Sequence, residues 1–577
     1  MVPVARRFWQ LRDDDPHIDV VRLAGQLDIS PLAATVLARR DLSDSSVVEA
    51  FFDASLADLP DPELLPDMQR AAKRLTEAVV AREPILVHGD YDVDGITGTT
   101  LLVDFLRQCG ADVDFHIPLR LRDGYGLSAD AIRCAAERGV KVLVSVDCGI
   151  SAHAEADLAK QLGIDLLITD HHQPGERLPA AHSLVNPRLA GNRFPDPDLA
   201  GVGVAFFLVV ALRRCLREAN FFTSVREPDL RLLLDLTALG TIADVVPLRK
   251  TNRLLVTKGL ELIAVARRPG IAALLEVSGV ARVTCGSVGF QLAPRLNAAG
   301  RLEDAALGVD LLLCDKSNRA AELARQLDLF NRERREIEQQ TLDDALERVA
   351  ELPDEQRSIV LGGDNWHPGV IGIVASRLVE RFHRPTLLIA CDGQVGKGSA
   401  RSVPGFHLYD ALSRCSDYLD AFGGHAAAAG FSLATATLDP FAEAFEEVCR
   451  SSTELDESMP RIHYDLEADL SQCDMDLALT LERFAPFGMG NSEPLICCRD
   501  VQIQQMQTLN GGHLRFTVRQ EGFTLPCIAF SMAERVDDFT ATVDLLAALQ
   551  VNRWNGRQNV QLVVKDVRPA HSGEHDA

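Results

Sequence analysis

From about residue 84, short apolar runs alternate with stretches of helical spacing: PILVHGD, ITGTTLLVDFLRQCG, DVDFHIP, KVLVSVD and IDLLITD succeed one another with polar turns between them. This is the rhythm of βαβ units and predicts a parallel sheet. The strand candidates are rich in Val, Ile and Leu without strict polar alternation, as expected when helices cover both faces. Polar residues gather at their C-terminal ends, where open α/β sheets bind ligands.

The pattern changes along the chain. Residues 1–70 read as a helical lead-in, with LAATVLARRDL as one helix and the proline-rich LPDPELLP as a boundary before an α/β domain over 71–300. Residues 301–355 have the spacing of long connecting helices, with Leu323, Leu327 and Phe330 as one apolar stripe and the RERR run at Arg332 to Arg335 expected on a solvated face. A second α/β pattern covers 356–460, opening with SIVLGG and carrying PTLLIA and GGHAAAAGFSL. In the last domain, 461–570, short alternating runs such as VQIQQMQ, HLRFTVRQ and NVQLVVKDV are separated by NGG and WNGRQ turns. They predict a β-barrel, and an OB-fold would suit a nucleic-acid partner. Residues 571–577 are expected to be a disordered tail.

Composition narrows the class. With 577 residues, 47% hydrophobic and 25% charged, the chain has the balance of a soluble globular protein and room for three or four domains of roughly 150 residues. Its 13 cysteines form no CxxC pair, which leaves neither a zinc ribbon nor a thioredoxin-like motif. The start, MVPVARRFWQLRDDDPH, lacks an apolar signal core, and no run approaches the roughly 18 apolar residues of a membrane span, so a cytoplasmic protein without membrane contact is expected. A net charge of −24 repels phosphates overall. A metal site needs carboxylates, however, and a local basic channel can coexist with an acidic exterior.

The candidate chemistry begins in VHGDYDVDG, where His88, Asp90 and Asp92 alternate and would project to one side if the strand continued through them. Asp147 closes the strand KVLVSVD, Asp170, His171 and His172 close IDLLITD, and Asp244 sits in a turn after the helix of LLLDLTALGTIADVVPL. Singly, an Asp at a strand end usually caps the next helix, and a lone His is usually a satisfied polar residue. Three strand ends bearing Asp or His in one domain are hard to explain as capping alone. Oxygen and imidazole ligands without thiolate favour a hard or borderline ion; the histidines tilt the choice to Mn²⁺, with Mg²⁺ as the alternative and zinc less natural. Two such ions roughly 3.5–4 Å apart could serve an in-line displacement at a phosphate.

HGDYDVDG, the Asp147 strand, the Asp170-His171-His172 triplet and GTIADVVPL together resemble, in order and spacing, the motifs of the DHH phosphoesterases. WHPGVIGIVASRL, GKGSARSVPGFHLYDAL and GGHAAAAG resemble the associated DHHA1 domain. IPLRLRDGYGLS, APRLNAAGRLEDA, FAPFGMGNSEP and the OB-like end extend the resemblance, from about residue 25 to 570, to the RecJ family of single-strand-specific exonucleases. The resemblance implies 5′-to-3′ degradation of single-stranded DNA to mononucleotides in repair and recombination. Carried over, it gives one ion to His88, Asp90 and Asp147 and a second to Asp92, Asp147, His171 and Asp244, with His172 facing the scissile phosphate and Asp170 orienting its neighbours.

Arg120, Arg295, Arg301 and Arg401 fall within these motifs, and a guanidinium fork matches phosphate bidentately. Arg295 and Arg301 are assigned to the catalytic path, Ser399 and Arg401 to the terminal 5′ phosphate, and His425 to strand or product. Tyr125 and Trp554 are candidate base-stacking platforms, although core packing is the plainer role for Trp554. Single-stranded-DNA-binding protein and a repair helicase are partners implied by the resemblance alone. No dimer seam is evident, and a monomer is expected. The metal motifs would equally serve a phosphodiesterase for short oligonucleotides, cyclic dinucleotides or pyrophosphate, which the barrel argues against. They oppose a non-catalytic DHH-type DNA-binding scaffold, because the ligand positions are intact.

Overall fold

A computed structural model describes residues 7–570, apart from 14–17, 43, 121, 123, 354, 454, 456–459 and 555; for Ser45, Ser46, Ala50 and Trp554 only the backbone is described. The expected tail, 571–577, and the Trp554 side chain therefore lie outside the described residues. The chain forms two compact units, Leu59–Pro460 and Arg7–Asp58 with the chain from Arg461 onward.

In the first unit, Val-, Ile- and Leu-rich segments form five parallel strands: β1 (Ile85–Gly89), β2 (Val113–His116), β3 (Val142–Val146), β4 (Asp165–Thr169) and β5 (Ser183–Val185), in the order β2-β1-β3-β4-β5. Every residue of β1 and β3 is buried, as covered parallel strands require. Helix α1 (Val93–Gln108) follows β1, and α2 (Gly201–Glu218) and α3 (Leu234–Ala243) pack against α1. Leu234 to Ile242 of α3 are all buried, and so are most residues of α1 and α2.

Helix α4 (Ala293–Leu302) packs on the 33-residue α5 (Ser317–Val349), which joins the parallel-sheet lobe to a second α/β lobe. Leu323 and Leu327 are buried on α5, matching part of the expected stripe. The RERR run departs from expectation. Arg332 is exposed, but Arg334 is buried and paired with Glu338, because that side of α5 faces α6 (Ile371–Phe382) rather than solvent. The second lobe holds a mixed sheet of β6 (Ile359–Gly363), β7 (Thr386–Asp392), β8 (Val395–Arg401), β9 (Ala421–Gly424) and β10 (Ala428–Ala434), ordered β9-β10-β8-β7-β6. β6 and β7 pair in parallel and the other pairs are antiparallel.

The second unit is a barrel of five strands, Ile496–Leu509, His513–Gln520, Phe523–Ala529, Arg557–Pro569 and Thr542–Trp554, closed by pairing of the first with the last. The lead-in expected over 1–70 is divided between the units. Its helices Val20–Leu27 and Pro31–Ala38 bury Leu23, Ala34 and Leu37 in one core with Phe484, Phe516 and Leu545, while Leu59 onward belongs to the first unit. Arg40 fixes this arrangement: its Nε and Nη2 reach the two oxygens of Asp465 at 2.8 and 3.0 Å, and Asp465 is 1% exposed. Trp9 Nε1 donates to Asp566 Oδ2 at 2.8 Å. Among the described residues, no single helix is long and apolar enough to cross a membrane.

Removing one partner of a buried ion pair typically costs about 3–5 kcal/mol, because a dry charge is left uncompensated. Arg12 also approaches Asp465 at 3.3 Å and offsets part of that loss. Arg40→Met is therefore expected to lower stability by roughly 3 kcal/mol, read as a drop in the urea midpoint of the second unit's transition. A midpoint unchanged within error would show that this pair does not hold the lead-in helices to the barrel.

Candidate metal centre

The strand ends deliver the side chains, but not as a continued strand. β1 stops at Gly89, so Asp90 lies in a loop and Asp92 is the N-cap of α1, accepting Asp94 N at 2.9 Å and Gly95 N at 3.1 Å through Oδ1. Strand alternation thus holds for His88 alone; the turn into α1 aims the two carboxylates. Capping and a ligand role coexist at Asp92, since a carboxylate has a second oxygen. Asp147 follows β3 with φ of 61°, a left-handed conformation that costs a non-glycine residue energy and is retained at functional sites. A Cβ on Gly201, at the start of α2, would stand 2.7 Å from the Asp147 Cβ, so only glycine lets α2 approach there.

The atoms that converge form three sets, each within 4.8 Å: Asp90, Asp92 and Asp147; Asp94, His171 and Asp244; Asp147, His171 and His172. His171 Nε2 lies 3.1 Å from Asp147 Oδ1, 3.6 Å from Asp244 Oδ2 and 3.9 Å from Asp94 Oδ2. His88 is outside these sets but is buried at the end of β1. Its Nε2 lies 3.1 Å from the Gly126 carbonyl; a carbonyl only accepts, which puts the proton on Nε2 and leaves Nδ1 with its lone pair.

Burial pushes the carboxyls up. Asp90 and Asp147 lie well above the usual range through burial and then neighbouring carboxylates; Asp94 is raised to about 7 and Asp244 to about 9 by the same causes. Burial lowers His88 and His171 to about 4, with neighbouring His116 and His172 adding to the effect. His172 moves upward despite burial, because its Nδ1 donates to Asp170 Oδ1 at 2.7 Å. Asp170 moves down: burial opposes this, but the His172 bond and charge prevail, together with the amides of His172 and Ile150.

The test for a cation is whether these atoms have other partners. Asp90 Oδ1, Asp147 Oδ1, His171 Nε2, Asp244 Oδ2 and His88 Nδ1 are all buried and make no hydrogen bond. Buried polar atoms are almost always satisfied, so four orphans within the converging sets, with His88 Nδ1 as a fifth at the end of β1, fit divalent ions on oxygen and imidazole donors. Asp170, by contrast, is fully occupied by hydrogen bonds. Beneath the histidines, Asn186 Nδ2 donates to the His172 carbonyl and Arg188 Nε to the His171 carbonyl, both at 2.9 Å.

Two residues escaped the sequence reading. Asp94 is fully buried and accepts Gly201 N at 2.6 Å and Val202 N at 2.8 Å, taking the free amides of α2. The signal was present in the third member of the 90, 92, 94 series. Asn297 Oδ1, in APRLNAAGR, accepts Val93 N at 3.1 Å and secures the first turn of α1.

The remaining expected residues separate. Tyr125 sits over the cluster, its hydroxyl donating to the Asp147 carbonyl at 3.1 Å and lying 3.2 Å from His172 Nδ1, although the ring is 53% exposed. Arg295 is not brought there: it is buried and paired with Asp328 at 2.9 Å, holding α4 to α5. Arg301 points elsewhere from α4, donating to the Gly369 carbonyl at 2.8 Å. Burial and the nearby cations Arg120, Arg334 and Arg401 lower its pKa to about 10. Arg120 stacks over Tyr91 at 4.9 Å. Arg401 Nη1 donates to Ser399 Oγ at 3.2 Å, and burial with the charge of Arg120 lowers its pKa. His425 is exposed on the hairpin joining β9 and β10.

A parallel sheet with Asp and His at its strand ends, joined to a mixed-sheet lobe, is the architecture of a DHH-type phosphoesterase. Family models agree: "DHH family, N-terminal domain" matches residues 84–241, "DHHA1 domain" 355–451 and "RecJ OB domain" 464–566. The chain belongs to the RecJ family. It is 41% identical over 90% of its length to the "single-stranded-DNA-specific exonuclease RecJ" of Dickeya dadantii, covering 93% of that protein. Crystal structures of RecJ from Thermus thermophilus also superpose. The Mn²⁺ complex gives a TM-score of 0.84 at 32% identity over 98% of this chain and 80% of that one. The Mg²⁺ complex gives 0.77 at 29% over 98% and 79%.

The shifted groups fix the sign of a pH effect. Between about pH 4 and 6.5, the lowered histidines make metal-free stability rise with pH while the raised carboxyls make it fall. Above about pH 6.5 the histidines are neutral folded and unfolded, and the carboxyls act alone. Folding then takes up protons, so metal-free stability falls as pH rises toward about 9. Mn²⁺ needs deprotonated ligands and binds the folded chain, so its stabilisation grows over the same interval. Melting curves with chelator and with Mn²⁺ should therefore diverge by several degrees more at pH 8.5 than at pH 6.5. Coincident curves at pH 8.5 would exclude a built cation site.

Proposed function

We propose that this chain is a metal-dependent exonuclease that digests single-stranded DNA from its 5′ end to mononucleotides, acting in the cytoplasm in repair and recombination. The observation that carries it is the group of five buried, unsatisfied atoms on His88, Asp90, Asp147, His171 and Asp244. Named RecJ relatives that are single-stranded-DNA-specific exonucleases, and RecJ structures containing Mn²⁺ or Mg²⁺, support the substrate and the ions.

In this reading His88, Asp90 and Asp147 would hold one Mn²⁺ and Asp92, Asp147, His171 and Asp244 a second, with Mg²⁺ as a substitute and Asp94 beside the second set. Such a pair supplies charge for the scissile phosphate and lowers the pKa of an attacking water. Asp147 belongs to both sets, and Gly201 gives it the room to do so. Asn186 and Arg188 hold the backbone of both histidines, and Asp170 holds the His172 ring with Nδ1 inward. Its Nε2 is then the atom that can pass a proton to the departing oxygen. Tyr125 keeps that ring in place, which supports a positioning role more than base stacking.

The end of the strand would be gripped by Ser399 and Arg401, with Arg301 and Arg120 adding charge. A Cβ on Gly372, in the first turn of α6, would stand 2.8 Å from Ser399 Oγ and 2.9 Å from Arg401 Nη2, so only glycine lets these two side chains pack against a helix N-terminus, which supports an anion site there. His425 contacts strand or product. Single-stranded-DNA-binding protein and a repair helicase fit this activity as partners, and the chain is read as a monomer.

Asp147→Ala should cut hydrolysis of a long single strand by at least roughly a hundredfold, since even indirect supports of metal ligands cost 10–100-fold, with the far-ultraviolet spectrum unchanged. Activity near the parent level would remove the cluster from the mechanism. A matched duplex should survive under conditions that consume the single strand; equal digestion would sink the strand specificity. Arg401→Gln should raise KM about 10–100-fold on 5′-phosphorylated strands, the worth of one charge-assisted hydrogen bond, with a smaller rise on 5′-hydroxyl strands. Equal rises on both would place the end phosphate elsewhere.

A further inference from the structure

A carboxylate is buried on α5 within electrostatic reach of Arg301, one of the cations assigned above to the end phosphate. Glu338, on α5, is 1% exposed and is approached from two helices: Arg334 Nη1 on α5 donates to its Oε2 at 2.7 Å, and Arg377 Nη2 on α6 lies 2.5 Å from its Oε1. Arg334 is itself buried and also donates to Asn331 Oδ1 at 3.1 Å. Glu338 therefore ties α5 to α6, the helix whose first turn carries Gly372 against Ser399 and Arg401. Arg301, bonded to Gly369 just ahead of α6, is within electrostatic reach of Glu338 as well as of Arg120, Arg334 and Arg401.

A fixed negative charge next to an anion site weakens anion binding, and the effect is larger in a dry site than in water. Such a residue would be a liability if the pocket only had to hold its ligand. It is an advantage where the held group must leave after every turn, because binding that is equally strong before and after reaction does not raise turnover and slows release.

We propose that Glu338 is a positioning residue whose charge limits how tightly Arg120, Arg301, Ser399 and Arg401 hold a terminal phosphate, so that a nucleoside monophosphate leaves after each cut. The inference rests on the end-phosphate reading above. Glu338 touches no reacting atom; it acts by holding Arg334 and Arg377 and by opposing their field.

The test uses the full chain with Mn²⁺, single-stranded DNA as substrate, and deoxyadenosine 5′-monophosphate as inhibitor beside deoxyadenosine as a control. For Glu338→Gln the inhibition constant of the monophosphate should fall about tenfold, with kcat and KM falling together and kcat/KM nearly constant. Arg377→Met leaves the carboxylate in place but removes one of the two cations paired with it, so more of its negative charge is uncompensated, and should raise that constant severalfold. An unchanged or higher constant in Glu338→Gln overturns the inference, since a merely structural role would loosen the grip. If that variant does not fold, Arg377→Met decides, and a constant equal to or below the parent's overturns it. A parent inhibited equally by monophosphate and nucleoside overturns the end-phosphate reading and this inference with it.

Discussion

Like charges held close together in a dry site are the constraint on which the first unit depends. Two carboxylates about 4 Å apart repel by roughly 4 kcal/mol at an effective dielectric of about 20, several times the roughly 1 kcal/mol that a side-chain helix cap contributes. Asp90, Asp92, Asp94, Asp147 and Asp244 share such a space, so capping by itself cannot account for them. What holds them is the stiffness of the parallel sheet, whose neighbouring strand ends sit about 4.8 Å apart. Helix N-termini contribute as well: Asp92 takes the first amides of α1, and Asp94 those of α2. The left-handed backbone at Asp147 is a local cost of the same crowding.

The same unit carries a concentration of the opposite sign. Burial and then the nearby charge of Arg120 lower the pKa of both Arg301 and Arg401, as happens to cations held close together and partly desolvated. A chain of net charge −24 can thus present a phosphate with an arginine pocket at one point and carboxylates awaiting cations at another. In the reading proposed above, two anchor points of different chemistry would give a phosphodiester chain a direction as well as a position. The sequence total says nothing of this, because the sum of charges conceals their separation.

The parts legible in the sequence followed local rules. Polar residues at the strand ends of a parallel sheet gather on one edge, and that rule put Asp147, His171 and His172 together, where their side-chain atoms do converge. Residues whose role depends on a distant segment were harder to read. Asp94 is explained by the start of α2, 107 residues away in the chain. Arg295 and Arg301 share one motif, but six residues along a helix turn the second to another face, toward Gly369 rather than Asp328. Arg334 sits in a run that reads as solvated and is buried because α6 packs there. The lead-in helices gave no hint that Arg40 would meet Asp465 across 425 residues.

Two imidazoles in the cluster show how environment, not residue type, divides labour. The Gly126 carbonyl takes the Nε2 proton of His88, leaving Nδ1 as a buried lone pair, and burial holds the ring neutral with a pKa of about 4. For His172 the partner is the Asp170 carboxylate on Nδ1, the ring is half exposed, and its pKa moves upward. A neutral ring with a free lone pair suits a cation; a ring that readily takes a proton suits an oxygen that is leaving. The turn around Tyr125 serves both, since its backbone orients His88 and its hydroxyl meets His172. One short glycine-flanked segment therefore touches two imidazoles of opposite character, His88 near the end of β1 and His172 just past β4.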